Sequence, residues 1–287
     1  MKFKTSTLLI SLLLLSGCSE PANHPSKFML GLGNPSSVPV GQYSEKILEY
    51  LEIDEAALLA NNHITYGKDV GEVTSFIKQS SVSAGIVYKS DATTYQLKVV
   101  DYATQEMCGR VLYPAALIKN ANSEIVKTAT RSFLDYLTND DAMDEFNKVG
   151  FVSACEAKDI ERQVSESVNV NVFAATSLKA SLNAIIEKYK TVASNVNIIP
   201  NYAASGTLQA QIENGPSACD LFISAAQKQM IALQEKNLIE VESRFDILEN
   251  KVCLCVPESN PFEISNFNDL KQIYIDVMNY HYPTQEN

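Results

Sequence analysis

Val168-Asn169-Val170-Asn171-Val172-Phe173-Ala174-Ala175-Thr176-Ser177-Leu178 reads as a strand that runs out into small residues and a hydroxyl where a helix begins. β-Branched and apolar side chains dominate Val168–Ala174, and the helical period takes over across Leu178–Tyr189. A second stretch has the same character: Ala203-Ala204-Ser205-Gly206-Thr207-Leu208 follows the strand Asn195–Pro200 and leads the helix Thr207–Asn214. Such a junction offers a side-chain O–H and unpaired backbone N–H groups at the positive end of a helix dipole, which suits an anion. For either stretch taken alone, simple N-capping by serine is the plainer account.

The alternation continues in both directions. Further strands are expected at Phe28–Leu32, Ala84–Tyr88, Leu97–Asp101, Val111–Ile118, Asp220–Ser224 and Val252–Val256. Further helices are expected at Gln42–Leu51, Val70–Lys78, Ser123–Leu137, Ala142–Val149, Ala226–Glu235 and Asn268–Met278. Strand and helix alternating this often implies α/β layers, each a mostly parallel sheet flanked by helices. Eight of each is too many for one small sheet, so two lobes are expected.

A chain of 287 residues, 46% hydrophobic, can bury a sizeable core. Thirty-four acidic against twenty-three basic side chains give a formal charge of -11, which argues against a nucleic-acid surface. Any anion must therefore be held by local dipoles.

Lys2 and Lys4 precede an apolar run, Leu8–Leu15, that is too short to span a bilayer and ends in Leu15-Ser16-Gly17-Cys18. That is the pattern of a bacterial lipoprotein signal over residues 1–17, with Cys18 as the lipid-bearing mature N-terminus and residues 18–27 as a polar, proline-bearing tether. The body is then expected outside the cytoplasm, anchored to the membrane through Cys18. The remaining cysteines, Cys108, Cys155, Cys219, Cys253 and Cys255, are odd in number and give no disulfide framework. Cys253 and Cys255 alternate on one strand and read as core residues rather than metal ligands. His24, His63 and His281 share no motif.

Three first-half segments add donors. Asn34-Pro35-Ser36-Ser37-Val38-Pro39-Val40-Gly41 and Lys68-Asp69-Val70-Gly71 each precede a helix, for which a turn and an aspartate cap are the plainer readings. Ala84-Gly85-Ile86-Val87-Tyr88-Lys89-Ser90-Asp91 is a buried-looking strand that ends in a phenolic donor.

With these motifs in view, the chain resembles the molybdate-binding proteins of bacterial ABC importers, which have a two-lobed type II periplasmic binding fold. Residues 168 to about 273 look like that family's first half, from V-F-A-A-x-S-L through S-G-T-L-x-x-Q-I-E-x-G to N-F-N-D-L. Residues 28–154 look like its second half, from G-N-P-x-S-V-P-x-G through A-G-I-V-Y-K-S-D-A and Y-P-A-A-L-I-K to F-x-K-V-G-F. The halves are in exchanged order, which points to a circular permutation joined through Cys155–Ser167. A rival account, a cut from a tandem gene, pairs the halves between two molecules and gives the same composite site. On the permuted reading one lobe takes residues 28–112 with 254–287, and the other takes 113–253 with the linker 155–167.

Position by position, the resemblance implies hydroxyl donors from Ser177 and Ser205, backbone N–H donors from Val40 and Val70, and a phenolic donor from Tyr88. Val40 stands where the family often has alanine, and Thr176 is a second small departure. The implied ligand is molybdate or tungstate, the metal entering only as the oxyanion without direct protein ligands. No cofactor is expected. The implied partners are an ABC permease and its ATPase subunits, with a monomer expected. Neutral donors and helix N-termini can hold a dianion without a cationic side chain. A cleft fitted to molybdate leaves the smaller sulfate with stretched hydrogen bonds, each unmet buried donor costing ~1–3 kcal/mol, and a protonated phosphate finds no evident acceptor. The other function class in view is an extracytoplasmic oxyanion sensor or interaction protein without a transport role. An enzyme is not expected, because no serine stands in a recognisable nucleophile–base motif.

Overall fold

The computed structural model describes residues 27–120, 122–160 and 164–281; the expected signal segment 1–17 and Cys18 lie outside them. In the first half, β1 (Leu30–Gly33), α1 (Pro39–Tyr50), α2 (Glu55–Ala60), β2 (Ile64–Gly67), α3 (Val70–Lys78), β3 (Ala84–Tyr88), α4 (Lys89–Thr94), β4 (Lys98–Tyr102) and α5 (Gln105–Cys108) lead to β5 (Val111–Leu117). Then come α6 (Glu124–Tyr136), α7 (Asp140–Lys148) and the two-residue β6 (Val152–Ser153). The second half runs β7 (Val168–Ala175), α8 (Lys179–Val192), β8 (Val196–Ala203), α9 (Ser205–Asn214), β9 (Leu221–Ile223), α10 (Gln227–Glu235) and β10 (Phe245–Asn250), and leads to β11 (Val252–Val256) and α11 (Phe267–His281).

These elements build a two-lobed α/β fold around two sheets, ordered β2-β1-β3-β11-β4 and β6-β10-β5-β9-β7-β8. Apart from the short β6, the sheets are built alike. In the first, β2, β1 and β3 are parallel, then β11 and β4 each pair antiparallel. In the second, β8, β7 and β9 are parallel, then β5 and β10 each pair antiparallel. Each sheet therefore receives strands from the opposite half of the chain, β11 in the first and β5 with the short β6 in the second. Most strands of each sheet run one way, as expected, with β11 reversed in the first sheet and β5 and the short β6 reversed in the second. Only strands joined by helical crossovers pair in parallel; β11 and β5 enter directly from the other lobe, β11 after the single residue Lys251, and so run the other way.

The core follows strand alternation. In the second sheet Val172, Ala174, Leu221 and Ile223 face the main core, while Phe173 and Phe222 face a smaller cluster with Leu208, Ile212 and Met230 from α9 and α10. Helices thus cover both faces of that sheet. Burying one such Leu, Ile or Phe side chain contributes roughly 1.5–3 kcal/mol. Residues 155–167, which join the two halves, form no helix among those described. Lys158 lies over the Phe245 ring at 3.3 Å, and its N–H donates to Thr138 Oγ1 at 2.9 Å. The segment Tyr274–Tyr280 continues α11, whose Ile273, Tyr274 and Val277 pack on the core. Among the described residues, no helix is long and apolar enough to cross a membrane.

Candidate functional site

Val40 and Val70 lie in the first turns of α1 and α3, where backbone N–H groups have no intrahelical acceptor. The helix at Val40 starts earlier than its periodicity suggests, at Pro39, because a proline at the first helical position brings a preset φ and gives up an N–H that would be unpaired anyway. Gly41 seats α1 on the end of β1: a Cβ there would overlap the Gly33 carbonyl. Asp69 is a true cap of α3. Its carboxylate accepts Glu72 N–H at 2.9 Å, and Glu72 in turn accepts Lys68 N–H at 2.8 Å.

The two serines are not caps. Ser205 is the first residue of α9, two positions before the expected start, and its hydroxyl makes no bond to its own helix. Its Oγ instead accepts Ala225 N–H at 3.0 Å from the β9–α10 connection. Ser177 sits in a single 3-10 turn, Thr176–Leu178, that runs straight into α8. Its Oγ lies 3.0 Å from the Tyr113 hydroxyl. Ser205 has accepted a hydrogen bond from behind, so its own O–H is left to donate forward.

Tyr88 joins the two lobes. It closes β3, and its hydroxyl donates to the Ala225 carbonyl at 3.3 Å, so Tyr88 and Ser205 meet on the same residue. Burial holds its phenol well above the ordinary tyrosine value, which keeps it protonated; its one proton goes to Ala225 O here and reaches another acceptor only when that bond is exchanged. On the other side, Gly206 N–H donates to Ser37 O at 3.1 Å, bringing the start of α9 to the loop before Val40. The start of the second half is also close to α3, which packs on the 176–178 turn together with α4. The structure thus brings all five expected positions to one seam between the lobes, and all are buried. Three helix N-termini and the 3-10 turn before α8 meet there, each contributing ~0.3–1 kcal/mol toward a negative charge.

Three residues at this seam escaped the sequence reading. Tyr113 contacts Ser177, and Asn250 Nδ2 donates to both Tyr113 and Ser90. Asp91 follows Tyr88 by three residues and is buried, with one carboxylate oxygen lacking a hydrogen-bond partner. Burial first, then the nearby Asp69 carboxylate, raises its pKa from 3.8 to about 8. In sequence it looks like an ordinary acidic residue of a first helical turn. A cleft of about 670 Å³ opens beside the seam, lined by residues that include Tyr43, Lys46, Arg110, Ala226 and Lys228 but none of the five donors. Its lining carries both charge signs, from Glu45 and Glu49 to Lys46, Arg110 and Lys228. Among the described residues, no group of three His, Cys, Asp or Glu side chains could hold a metal ion. Cys108, Cys155, Cys219, Cys253 and Cys255 are unpaired thiols; Cys253 and Cys255 share one face with sulfurs 3.7 Å apart.

The family profile of the bacterial extracellular solute-binding proteins matches residues 20–152 and 170–278. This chain belongs to that family. Members of that family bind solutes outside the cytoplasm. YvgL of Bacillus subtilis (strain 168), assigned as an ABC transporter substrate-binding lipoprotein, is 34% identical over 125 residues, 43% of this chain and 46% of that protein. The molybdate-binding protein ModA of Haemophilus influenzae is 30% identical over 123 residues, 42% of this chain and 46% of that protein. The chain thus matches about half the length of these curated relatives. A solved phosphate-binding protein of a phosphate ABC transporter from Streptococcus pneumoniae superposes with a TM-score of 0.51 at 11% identity, over 86% of this chain and 95% of that one. That likeness speaks to the fold.

Proposed function

We propose that the protein captures a tetrahedral oxyanion, molybdate or tungstate, between its lobes and delivers it to an ABC permease while held to the membrane by a lipid on Cys18. The observation that carries this reading is the convergence of Ser177, Ser205, Val40, Val70 and Tyr88 on one buried seam from both halves of the chain. Neutral donors and helix N-termini favour a dianion there despite the net charge of -11.

A circular permutation accounts for the half-length matches. Leaving out the two-residue β6, both sheets share one strand order with one exchanged strand each, so the two lobes are topologically equivalent. Exchanging the order of the two halves along the chain leaves both sheets unchanged, and the composite site survives. Tolerated permutations join old termini that lie close and open the chain in an exposed connection.

The test is thermal unfolding of the purified full chain in detergent with molybdate, tungstate, sulfate or phosphate. Ligand at about a thousand times its dissociation constant adds ~4 kcal/mol to the folded state, roughly ten degrees for a protein of this size. A rise with molybdate and tungstate but not sulfate is expected; no rise with any of the four sinks the reading. Ser177→Ala, Ser205→Ala and Tyr88→Phe are each expected to weaken molybdate binding about tenfold, the scale of one buried hydrogen bond. Titration calorimetry showing wild-type affinity in all three would remove the donor assignment.

A further inference from the structure

Tyr113 is fully buried on β5, the strand that the first half of the chain lends to the second sheet. Its ring meets Tyr88 and Phe151 edge-on, with centroids 5.9 and 5.1 Å apart, so its hydroxyl is held in place. That hydroxyl has two neighbours: Ser177 Oγ at 3.0 Å and Asn250 Nδ2 at 3.2 Å. By distance alone, either member of the Tyr113–Ser177 pair could donate.

Asn250 decides the direction. It is the last residue of β10, immediately before the chain passes to the other lobe, and its Oδ1 accepts Lys251 N–H at 2.8 Å. That bond orients the amide, so the nitrogen faces inward. Its two hydrogens go to Ser90 Oγ at 2.9 Å, in one lobe, and to the Tyr113 oxygen, in the other. Tyr113, having accepted from Asn250, gives its own proton to Ser177. Burial keeps that phenol protonated well beyond the ordinary tyrosine range. Ser177 has then accepted from behind, and its O–H is left for a group outside the chain.

We propose that Asn250 and Tyr113 are positioning residues, a one-way hydrogen-bond relay that turns the Ser177 proton toward the bound oxyanion. The inference rests on the reading of Ser177 as an oxyanion donor. It also explains a difference between the two serines. Ser205 is backed by a backbone N–H, which can only donate, whereas Ser177 is backed by a hydroxyl, whose direction has to be imposed. The same amide ties the relay to Ser90, two residues after Tyr88, so orienting Ser177 and docking the lobes use one side chain.

The test is a double-mutant cycle on the full chain, read as molybdate affinity by titration calorimetry, with ligand-free melting recorded for every variant. Tyr113→Phe is expected to weaken binding about tenfold, and to cause no further loss when Ser177→Ala is already present. Asn250→Asp presents an acceptor in place of the donor, draws the Tyr113 proton away from Ser177, and is expected to cost more affinity than Tyr113→Phe. Wild-type affinity in Tyr113→Phe, or an equal loss with and without Ser177→Ala, overturns the relay and leaves the site standing. If the wild-type chain binds neither molybdate nor tungstate, the site reading falls and takes the relay with it. Should Tyr113→Phe not fold, the cycle is run between Asn250→Asp and Ser177→Ala with the same criteria.

Discussion

Asp91→Asn is expected to stabilise the ligand-free protein at pH 8 and to change its stability little near pH 4. The carboxyl is buried, one of its oxygens has no hydrogen-bond partner, and Asp69 faces it from the cap of α3. Tyr88, Tyr113 and Cys253 are the other titratable groups that sense it, and none of them supplies a positive charge. Its pKa rises from 3.8 to about 8 in the folded protein. Between those values the folded state holds a proton that the unfolded state has released, so stability falls as pH rises through the window. The contribution is complete below about pH 4 and lost by the time the folded group ionises. Each pH unit is worth ~1.4 kcal/mol, which puts a ceiling of ~6 kcal/mol on the whole window. Local relaxation and water entry take part of any such burial penalty, and a gain of roughly 2–4 kcal/mol at pH 8 corresponds to about 5–15 °C. The measurement is the difference in melting temperature between variant and wild type at pH 4.5 and 8.5, in which all other titrating groups cancel. An equal difference at both values would show that Asp91 does not hold its proton. The same neutrality suits the proposed ligand, since an uncharged carboxyl adds no repulsion to a seam built to receive a dianion.

What could be seen in the sequence divides along a physical line. Long amphipathic helices and strands with β-branched runs announce themselves, so α3, α6, α8 and β7 stand within three residues of their expected bounds. The missed elements are short or polar. β2 is four residues, Ile-Thr-Tyr-Gly, while β10 carries Asp246, Glu249 and Asn250, and α2, α4 and α5 run for only four to six residues. No window long enough to show a period fits inside them. The reversed strands were hidden for another reason: helix–strand alternation reports the parallel crossovers and says nothing of strands exchanged between lobes. At the site, the helix-start serines and Tyr88 stand in local motifs that single residues can reveal. Tyr113 and Asn250 do not, because their meaning arises from contacts spanning 64 and 137 residues of chain. Asp91 was visible but misleading, since burial turns a first-turn acid into a proton-holding group.

Gly206→Ala is expected to weaken molybdate binding about a hundredfold while leaving the ligand-free protein as stable as wild type. Gly206 lies in the first turn of α9, beside Ser205, and its N–H donates to Ser37 O at 3.1 Å across the seam. A Cβ at this position would stand 2.6 Å from the Ser37 carbonyl oxygen and 2.9 Å from its Cα. Both are backbone atoms, which cannot swing aside as a side-chain tip would, and overpacking of this kind costs ~1–3 kcal/mol. The cost applies only when the start of α9 lies against the 34–37 loop. If the lobes close on the ligand, as proposed, the ligand-free protein escapes it by opening about its two interlobe passages, and the bound form cannot. Alanine is also the better helix former by ~1 kcal/mol, so the open protein has no reason to melt earlier. Calorimetric affinity and ligand-free melting separate the possibilities. A lost affinity with an unchanged melting temperature identifies this contact as part of closure. Early melting would instead make it part of the resting fold, and unchanged affinity would mean that the oxyanion is held without bringing Ser205 and Val40 together.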